Sequence, residues 1–208
     1  MNEDPRLPRG IYTIIDTAVT SDPVALLDAV LRAGVRIVQL RAKTGVDRVV
    51  LNAMLVRTRR ADASLIVNDD FAAALEADGW HGGQEDLAGR DLAALRRDLG
   101  SRLLGVSCGT AAEARIAVAA GADYIGTGPF AHTGTKADAG GAIGVAGIAA
   151  VVGAVNVPVV AIGGIDRSNI DAVVRSGAHM AAIISAIALA PDPEATTRAL
   201  RACWTDPM

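Results

Sequence analysis

The chain has 208 residues and a formal net charge of −3, and 51% of its residues are hydrophobic while only 3% are aromatic. This length suits one domain with an aliphatic core, and the lack of a basic stripe argues against nucleic acid as a partner. Apolar runs are too interrupted to cross a bilayer and the N-terminus lacks a signal-peptide pattern, so we expect a cytoplasmic protein with no membrane association. Cys108 and Cys203 match no metal or disulfide spacing, and neither has a histidine at the spacing of a thiol nucleophile.

Strand and helix patterns alternate along the chain after a short N-terminal segment. Residues 1–9 hold two prolines and mixed charges, which is typical of a flexible tail, and the folded domain is expected over residues 10–205. Strands are predicted at 11–15, 35–40, 64–67, near Trp80, 103–106, around Tyr124, 157–162 and 180–184. Helices are predicted at 23–32, from Phe71, and at 111–119, 145–152, 166–176 and 193–203.

This alternation predicts the fold class. Strands separated by helices pair in parallel and are joined by right-handed crossovers. A glycine that follows a helix end and precedes a strand recurs at Gly34, Gly79, Gly121 and Gly177, with separations of 45, 42 and 56 residues. Eight such strands in slightly over 200 residues favour an α/β protein with a single-domain (β/α)8 TIM barrel. A doubly wound open sheet is the alternative.

Polar residues follow the second predicted strand, at the end where a barrel carries its active site. Gln39, Arg41 and Lys43 alternate along the chain, so their side chains share one side of the strand. Two cations and an amide at one place would attract a phosphate or a pyrophosphate. The alternative is a solvated strand end with salt bridges.

Acidic residues follow the third and fourth strands. Asp69, beside Asn68, and Asp86 can hold one magnesium ion between them, because Mg²⁺ accepts one or two carboxylates and completes its shell with water and phosphates. Either aspartate can instead cap a helix. His81 is interpreted as structural rather than as a general base, and Ser107 lacks a nucleophile elbow and is interpreted as a ligand contact.

A glycine-rich loop follows the sixth strand, within residues 121–144, and carries Thr133, Thr135 and Lys136. Hydroxyls, backbone N–H groups and a lysine suit a phosphate, and a long loop in a compact domain is often a lid. The alternative is an idle surface loop. Gly164 and Ser185, after the seventh and eighth strands, predict a second phosphate site at a helix N-terminus, although a glycine pair is also a common turn.

Seven motifs, in chain order, resemble those of the thiamine-phosphate synthase family. The combination is specific and covers nearly all of the chain, and GTGP followed by TGTK is its strongest part. The motifs are VQLRAK at 38–43, NDD at 68–70, HGGQEDL at 81–87, GVS at 105–107, GADYIGTGPFAHTGTKADA at 121–139, AIGGI at 161–165 and ISAI at 184–187.

The resemblance implies a (β/α)8 barrel that couples hydroxymethylpyrimidine diphosphate to hydroxyethylthiazole phosphate, giving thiamine monophosphate and pyrophosphate. By the same resemblance, Asp69 and Asp86 ligate Mg²⁺, and two further groups of residues bind the substrates. The pyrimidine diphosphate is held by Gln39, Arg41, Lys43, Asn68, Ser107 and Lys136, and the thiazole phosphate by Thr133, Thr135, Gly164, Ile184 and Ser185.

The implied mechanism is a largely dissociative substitution. Arg41, Lys43 and Lys136, together with magnesium, would neutralise the departing pyrophosphate, and they are the expected catalytic residues. The expected partners are phosphorylated small molecules, and the sequence is compatible with a homo-oligomer without specifying one. The rival functions are a thiazole tautomerase-like barrel, a non-catalytic phosphate-binding barrel, and an aldolase-like or isomerase barrel.

Overall fold

Eight parallel strands close into a barrel in a computed structural model that describes residues 4–83, 87, 89–133 and 141–205. Neighbouring strands pair in chain order, and β8 pairs with β1 through Gly10 opposite Met180, which closes the sheet. The predicted TIM barrel is therefore confirmed and the open sheet is excluded. The strands are β1 Gly10–Asp16, β2 Ile37–Arg41, β3 Ser64–Asn68, β4 Gly79–Gly82, β5 Leu103–Ser107, β6 Tyr124–Thr127, β7 Val159–Ile162 and β8 Met180–Ile183.

Helices surround the barrel, and several begin at a side-chain cap. Asp22 accepts a hydrogen bond from Ala25 N, and Thr110 accepts one from Glu113 N, which satisfies N–H groups that a helix start leaves unpaired. Within the described residues no helix is long and apolar enough to cross a membrane. The helices are α1 Pro23–Arg32, α2 Arg48–Arg60, α3 Phe71–Ala74, α4 Leu92–Leu99, α5 Ala111–Ala119, α6 Gly144–Val152, α7 Ile170–Arg175, α8 Ser185–Ala188 and α9 Pro193–Thr205.

Two hydrophobic cores follow from the alternation of side chains along each strand. Outward-facing strand residues such as Ile15 and Leu65 pack against the helices in one large aliphatic cluster. Inward-facing residues fill the barrel itself, so the barrel is a packed core below its mouth rather than a pore. The interior cluster contains Leu7, Tyr12, Ile14, Ile37, Ile66, Leu103, Tyr124, Val160, Met180 and Ala182.

Residues 4–9 pack against the barrel, in contrast to the flexible tail expected for residues 1–9 from their composition. Leu7 is 2% exposed and belongs to the cluster inside the barrel. His179 Nε2 lies 2.8 Å from the Leu7 carbonyl, and the Ser64 hydroxyl donates to the Arg6 carbonyl at 3.3 Å. Because Ser64 begins β3 and His179 precedes β8, residues 4–9 lie at the N-terminal end of the barrel. A single leucine among prolines and charges gives no periodicity, which is why the sequence pattern did not reveal this packing.

Candidate functional site

A cavity of about 500 Å³ lies at the C-terminal ends of the barrel strands. This is the end at which barrel enzymes bind their ligands, and the volume suits a small organic molecule. The cavity brings together the predicted site residues that the structure describes. These are Gln39, Arg41, Lys43, Asn68, Asp69, Ser107, Thr133, Gly164, Ile184 and Ser185. Three further predicted residues, Asp86, Thr135 and Lys136, lie outside the described part of the chain.

Strand β2 and the residues directly after it supply an amide and two cations in order of increasing exposure. Gln39 is buried inside the barrel at 2% exposure, the Arg41 side chain is 14% exposed, and Lys43 is exposed beyond the strand end. All three line the cavity. The predicted alternation therefore carries these groups from the floor of the cavity to its rim, where positive charge can meet an anionic ligand.

Arg41 is held by a partner that the sequence analysis did not select. Asp16 ends β1 directly opposite Arg41 in the strand register, and its carboxylate forms an ion pair with the Arg41 guanidinium. Asp16 is 1% exposed and also accepts a hydrogen bond from Ala18 N at 2.9 Å. The salt bridge weighed as an alternative for this strand end therefore exists, but it lies in the wall of the cavity. A carboxylate fixed in this way restricts the guanidinium to one direction, which favours a positioning role.

The neighbouring aspartates after β3 have separate roles. Asp70, and not Asp69, is the N-cap of α3, since its carboxylate accepts a hydrogen bond from Ala73 N at 2.9 Å. This excludes the capping alternative for Asp69. Asp69 instead lines the cavity with a φ of +63°, a left-handed conformation that is uncommon outside glycine. Its N–H donates to the His81 carbonyl at 3.1 Å, which ties the end of β3 to β4.

The loops after β6 and β7 lie against each other at the cavity wall. Phe130 N donates to the Ile162 carbonyl at 2.8 Å, and Ala131 N donates to the Gly163 carbonyl at 3.0 Å. Gly164 has a φ of +62°, and an added Cβ there would lie 2.5 Å from the His132 carbonyl oxygen. A glycine is therefore required for this close approach of two backbones. The close packing of the two loops explains why position 164 is a glycine, whether or not Gly164 binds a ligand. The binding of a phosphate at Gly164 therefore stays a prediction.

The start of α8 faces the same cavity. Ile184 and Ser185 line the cavity, and no side chain caps this short helix. An uncapped helix start leaves backbone N–H groups available to an anion. The second phosphate site expected from Gly164 and Ser185 stays a prediction.

A row of buried polar side chains crosses the barrel beneath the cavity. Gln39 Nε2 donates to the Tyr12 hydroxyl at 3.0 Å, and the Tyr12 and Tyr124 hydroxyls are 3.0 Å apart. His81 Nδ1 lies 3.0 Å from the Tyr124 hydroxyl, and His81 Nε2 lies 2.9 Å from Ser107 Oγ. Contacts from both ring nitrogens therefore hold the His81 side chain between Tyr124 and Ser107. The sequence analysis missed both tyrosines, although each stands at an inward-facing position of a predicted strand.

Cysteine chemistry is disfavoured at this site. Cys108 borders the cavity, but burial, with a smaller contribution from Glu113, raises the pKa of its thiol to about 12. A thiol that stays protonated at neutral pH is a poor nucleophile.

Over residues 4–83, 87, 89–133 and 141–205, no three His, Cys, Asp or Glu side chains form a metal-binding cluster.

Comparison with known proteins finds a likeness to one protein family over most of the chain. The family model for thiamine monophosphate synthase matches residues 11–187. The chain is 44% identical over 200 residues to a thiamine-phosphate synthase of Roseiflexus sp. (strain RS-1), covering 92% of this chain and 84% of that protein. It is also 44% identical to a thiamine-phosphate synthase of Chloroflexus aurantiacus, covering 92% and 91% of the two chains. The solved structure of a thiamine phosphate pyrophosphorylase from Pyrococcus furiosus superposes with a TM-score of 0.87 at 31% identity, covering 97% of this chain and 98% of that one.

Proposed function

The chain belongs to the thiamine monophosphate synthase family, and we propose that its cavity holds a pyrimidine diphosphate beside a thiazole phosphate. Its activity is that of a thiamine-phosphate synthase, a transferase of thiamine biosynthesis that releases pyrophosphate. The observation that carries the proposed ligands is the convergence of an amide, two cations and a carboxylate around one cavity. These are Gln39, Arg41, Lys43 and Asp69.

The first task of the site is to stabilise the pyrophosphate as it leaves the pyrimidine. Negative charge grows on the leaving group as its bond to the ring methylene breaks, and Arg41 and Lys43 supply positive charge at the cavity rim. The ion pair with Asp16 holds the Arg41 guanidinium in place before the reaction, so little reorganisation is needed in the transition state. Lys136 is proposed as a third cation on the basis of the family motif alone.

Magnesium is proposed as the metal that shares this charge. Asp69 fits the role of a magnesium ligand because it lines the cavity and does not cap α3. Its left-handed backbone conformation has an energetic cost, and residues with such a cost are often found at functional sites. Asp86 is proposed as its companion by resemblance. When bound, Mg²⁺ would neutralise part of the diphosphate charge.

The second task is to deliver the thiazole nitrogen to the methylene carbon. The start of α8 and the loop after β7 offer backbone N–H groups to a monophosphate, with Gly164 allowing the close approach of the two loops. Gln39, Asn68 and Ser107 orient the pyrimidine at the cavity floor. The electron-rich aminopyrimidine carries the positive charge until the nitrogen attacks, so orientation and exclusion of water do the remaining work.

The first experiment is an assay of pyrophosphate release. We expect purified protein, given both substrates and Mg²⁺, to release pyrophosphate and form thiamine phosphate in equal amounts. Omission of the thiazole phosphate is the control, because a simple diphosphatase would still release pyrophosphate. Absence of thiamine phosphate above background would reject the proposed pair of ligands and favour a tautomerase-like or purely phosphate-binding barrel.

The cytoplasmic location and the oligomeric state stay predictions. The proposed partners are the two phosphorylated precursors. Neither nucleic acid nor a membrane is proposed as a partner, in keeping with the mixed charge of the chain.

A further inference from the structure

The buried polar row beneath the cavity crosses from one side of the barrel to the other. Tyr12 comes from β1 and Gln39 from β2, whereas His81, Ser107 and Tyr124 come from β4, β5 and β6. Tyr12 is 1% exposed, Tyr124 is fully buried, and Gln39 is 2% exposed. Buried polar groups that are hydrogen-bonded in series fix one another's orientation, because each lost bond would leave an unpaired group in an apolar core.

Two inward-facing glycines make room for this row. An added Cβ at Gly105 would lie 2.5 Å from His81 Nδ1 and closer still to the Tyr124 hydroxyl. At Gly126 an added Cβ would lie 3.1 Å from His81 Cε1. Strands β5 and β6 therefore carry no side chain where the imidazole and the phenol meet. The two glycines leave space in the barrel wall for the row of polar side chains, and hydrogen bonds within the row hold those side chains in place.

The hydrogen bonds have a direction, and counting hydrogens gives it. Gln39 Nε2 donates to the Tyr12 oxygen, and the second described partner of that oxygen is Tyr124. The single hydroxyl hydrogen of Tyr12 is bonded only if it points to Tyr124. Tyr124 must then donate to His81 Nδ1, so the imidazole proton is on Nε2 and is donated to Ser107. Burial raises the pKa of both tyrosines, so both hydroxyls keep their hydrogens.

This direction decides what Gln39 can offer to a ligand. The carboxamide nitrogen carries two hydrogens and Tyr12 accepts one of them, so the nitrogen end of the Gln39 carboxamide is fixed at Tyr12. Gln39 lines the cavity, and the carbonyl oxygen is the end of its carboxamide that is not fixed at Tyr12. A carbonyl oxygen accepts a hydrogen bond from an amino group and repels an oxo group at the same position.

We propose that Tyr12 and Tyr124 are positioning residues that lock the Gln39 carboxamide with its oxygen toward the cavity. The pocket thereby selects an amino-substituted pyrimidine over the corresponding oxo-pyrimidine. This inference rests on the proposed function for the identity of the ligand, but the direction of the hydrogen bonds does not. Both tyrosines border the cavity, and the role proposed for them is exerted through Gln39 and His81.

The direction is tested without any substrate. In protein labelled with ¹⁵N-histidine, the three histidines give separate imidazole signals, which are assigned by substituting His132 and His179 in turn. We expect His81 to be the Nε2–H tautomer in the wild type and a mixture of tautomers in Tyr124→Phe. A His81 proton on Nδ1 in the wild type, or an unchanged tautomer in Tyr124→Phe, would overturn the proposal.

The selectivity is tested with two diphosphate substrates, the aminopyrimidine and its oxo analogue. An oxo ring is intrinsically less able to carry positive charge, so the informative quantity is the change in the kcat/KM ratio between wild type and variant. We expect Tyr12→Phe to lower the preference for the amino substrate by about tenfold or more, because the freed carboxamide can turn its donor group to the cavity. An unchanged ratio would reject the role of Tyr12.

A neighbouring hydroxyl provides the matched control. Thr13 is 1% exposed, and its hydroxyl has no hydrogen-bond partner among the described residues. Thr13→Val removes a buried hydroxyl from the same strand without touching the row, and we expect the substrate ratio to stay within about twofold of the wild type. Equal loss of selectivity in Thr13→Val and Tyr12→Phe would indicate a general packing effect. A wild type without synthase turnover would reject the proposed function, while the histidine spectrum would still decide the direction of the row.

Discussion

Asp69 and Asp70 are adjacent acidic residues whose backbone conformations give them different tasks. Asp70 has an extended backbone and caps α3, so its carboxylate contributes to local stability. Asp69 has a φ of +63° and lines the cavity, where we propose that it binds magnesium. A left-handed aspartate has a conformational cost, and such costs concentrate at functional sites. At the residue scale, one aspartate of the pair therefore stabilises a helix, and its neighbour is proposed to bind a ligand.

Substitution of this pair tests the separation. We expect Asp69→Asn to lower kcat/KM by about 10²–10³-fold, as for the loss of one preorganised electrostatic contact, with little change in Tm, because asparagine tolerates the left-handed conformation. Asp70→Ala, the matched variant, should lose about 1 kcal/mol of unfolding free energy through the missing cap and retain its activity. Mg²⁺-dependent kinetics and thermal unfolding measure the two effects. Full activity in Asp69→Asn would show that this carboxylate is not a metal ligand.

At the scale of the element, the segment of residues 4–9 closes the barrel at the end opposite to the cavity. Leu7 fills space inside the barrel, and hydrogen bonds from Ser64 and His179 to the Arg6 and Leu7 carbonyls hold the backbone beside it. Arg6 also donates to the Ser101 carbonyl at 2.7 Å. This segment therefore covers the interior cluster from below, while the substrates are proposed to enter from above.

Truncation of Leu7 tests this closure. We expect Leu7→Ala to lower the unfolding free energy by about 2–5 kcal/mol, because it removes a buried side chain and leaves a cavity. The kcat/KM should stay within about twofold of the wild type, since the change is at the far end of the barrel from the site. Val49→Ala is the control, because Val49 is 78% exposed and its loss should change stability by less than about 0.5 kcal/mol. Denaturant unfolding measures both variants, and an equal effect of the two would show that the segment contributes nothing to stability.

At the scale of the whole molecule, the cavity is lined from strands and loops all around the barrel mouth. Residues from all eight strands contribute to its wall. A ligand that bridges several strands binds the folded barrel and not the unfolded chain, so binding stabilises the entire fold by mass action.

Pyrophosphate, the proposed product, should therefore raise the Tm in the presence of Mg²⁺. At about 100 times its Kd, the ligand would stabilise the protein by about 2.7 kcal/mol, or about 5–10 °C in Tm for a protein of this size. Thermal scans with pyrophosphate, with and without a metal chelator, measure the effect. An equal shift with the chelator would reject a metal-assisted diphosphate site, and an equal shift with sulfate would indicate a nonspecific salt effect.

The order of elements in this barrel was determined by the sequence itself. Aliphatic runs separated by helical segments specify parallel strands, and the chemistry-bearing residues Gln39, Arg41, Asn68, Asp69 and Ser107 follow those runs. Because all strands of such a barrel point the same way, residues at their ends must meet at one mouth. The position of these residues at the barrel mouth could therefore be predicted from a local sequence pattern and a general rule of barrel topology, without knowledge of any long-range contact.

Only the tertiary structure decided which side chains pair across that mouth. Tyr12 and Tyr124 are 112 positions apart, and their contact depends on the depth of each strand in the closed barrel, which no local pattern specifies. The same holds for Asp16 with Arg41 and for Leu7 inside the barrel. Which of Asp69 and Asp70 caps the helix is likewise seen only in the folded chain, where Asp70 accepts from Ala73 N and Asp69 has a left-handed backbone. The spacing of residues along the chain predicts which side chains lie at the active-site end of the barrel. Strand register and burial decide which other side chain each of them contacts and in which direction its hydrogen bonds run.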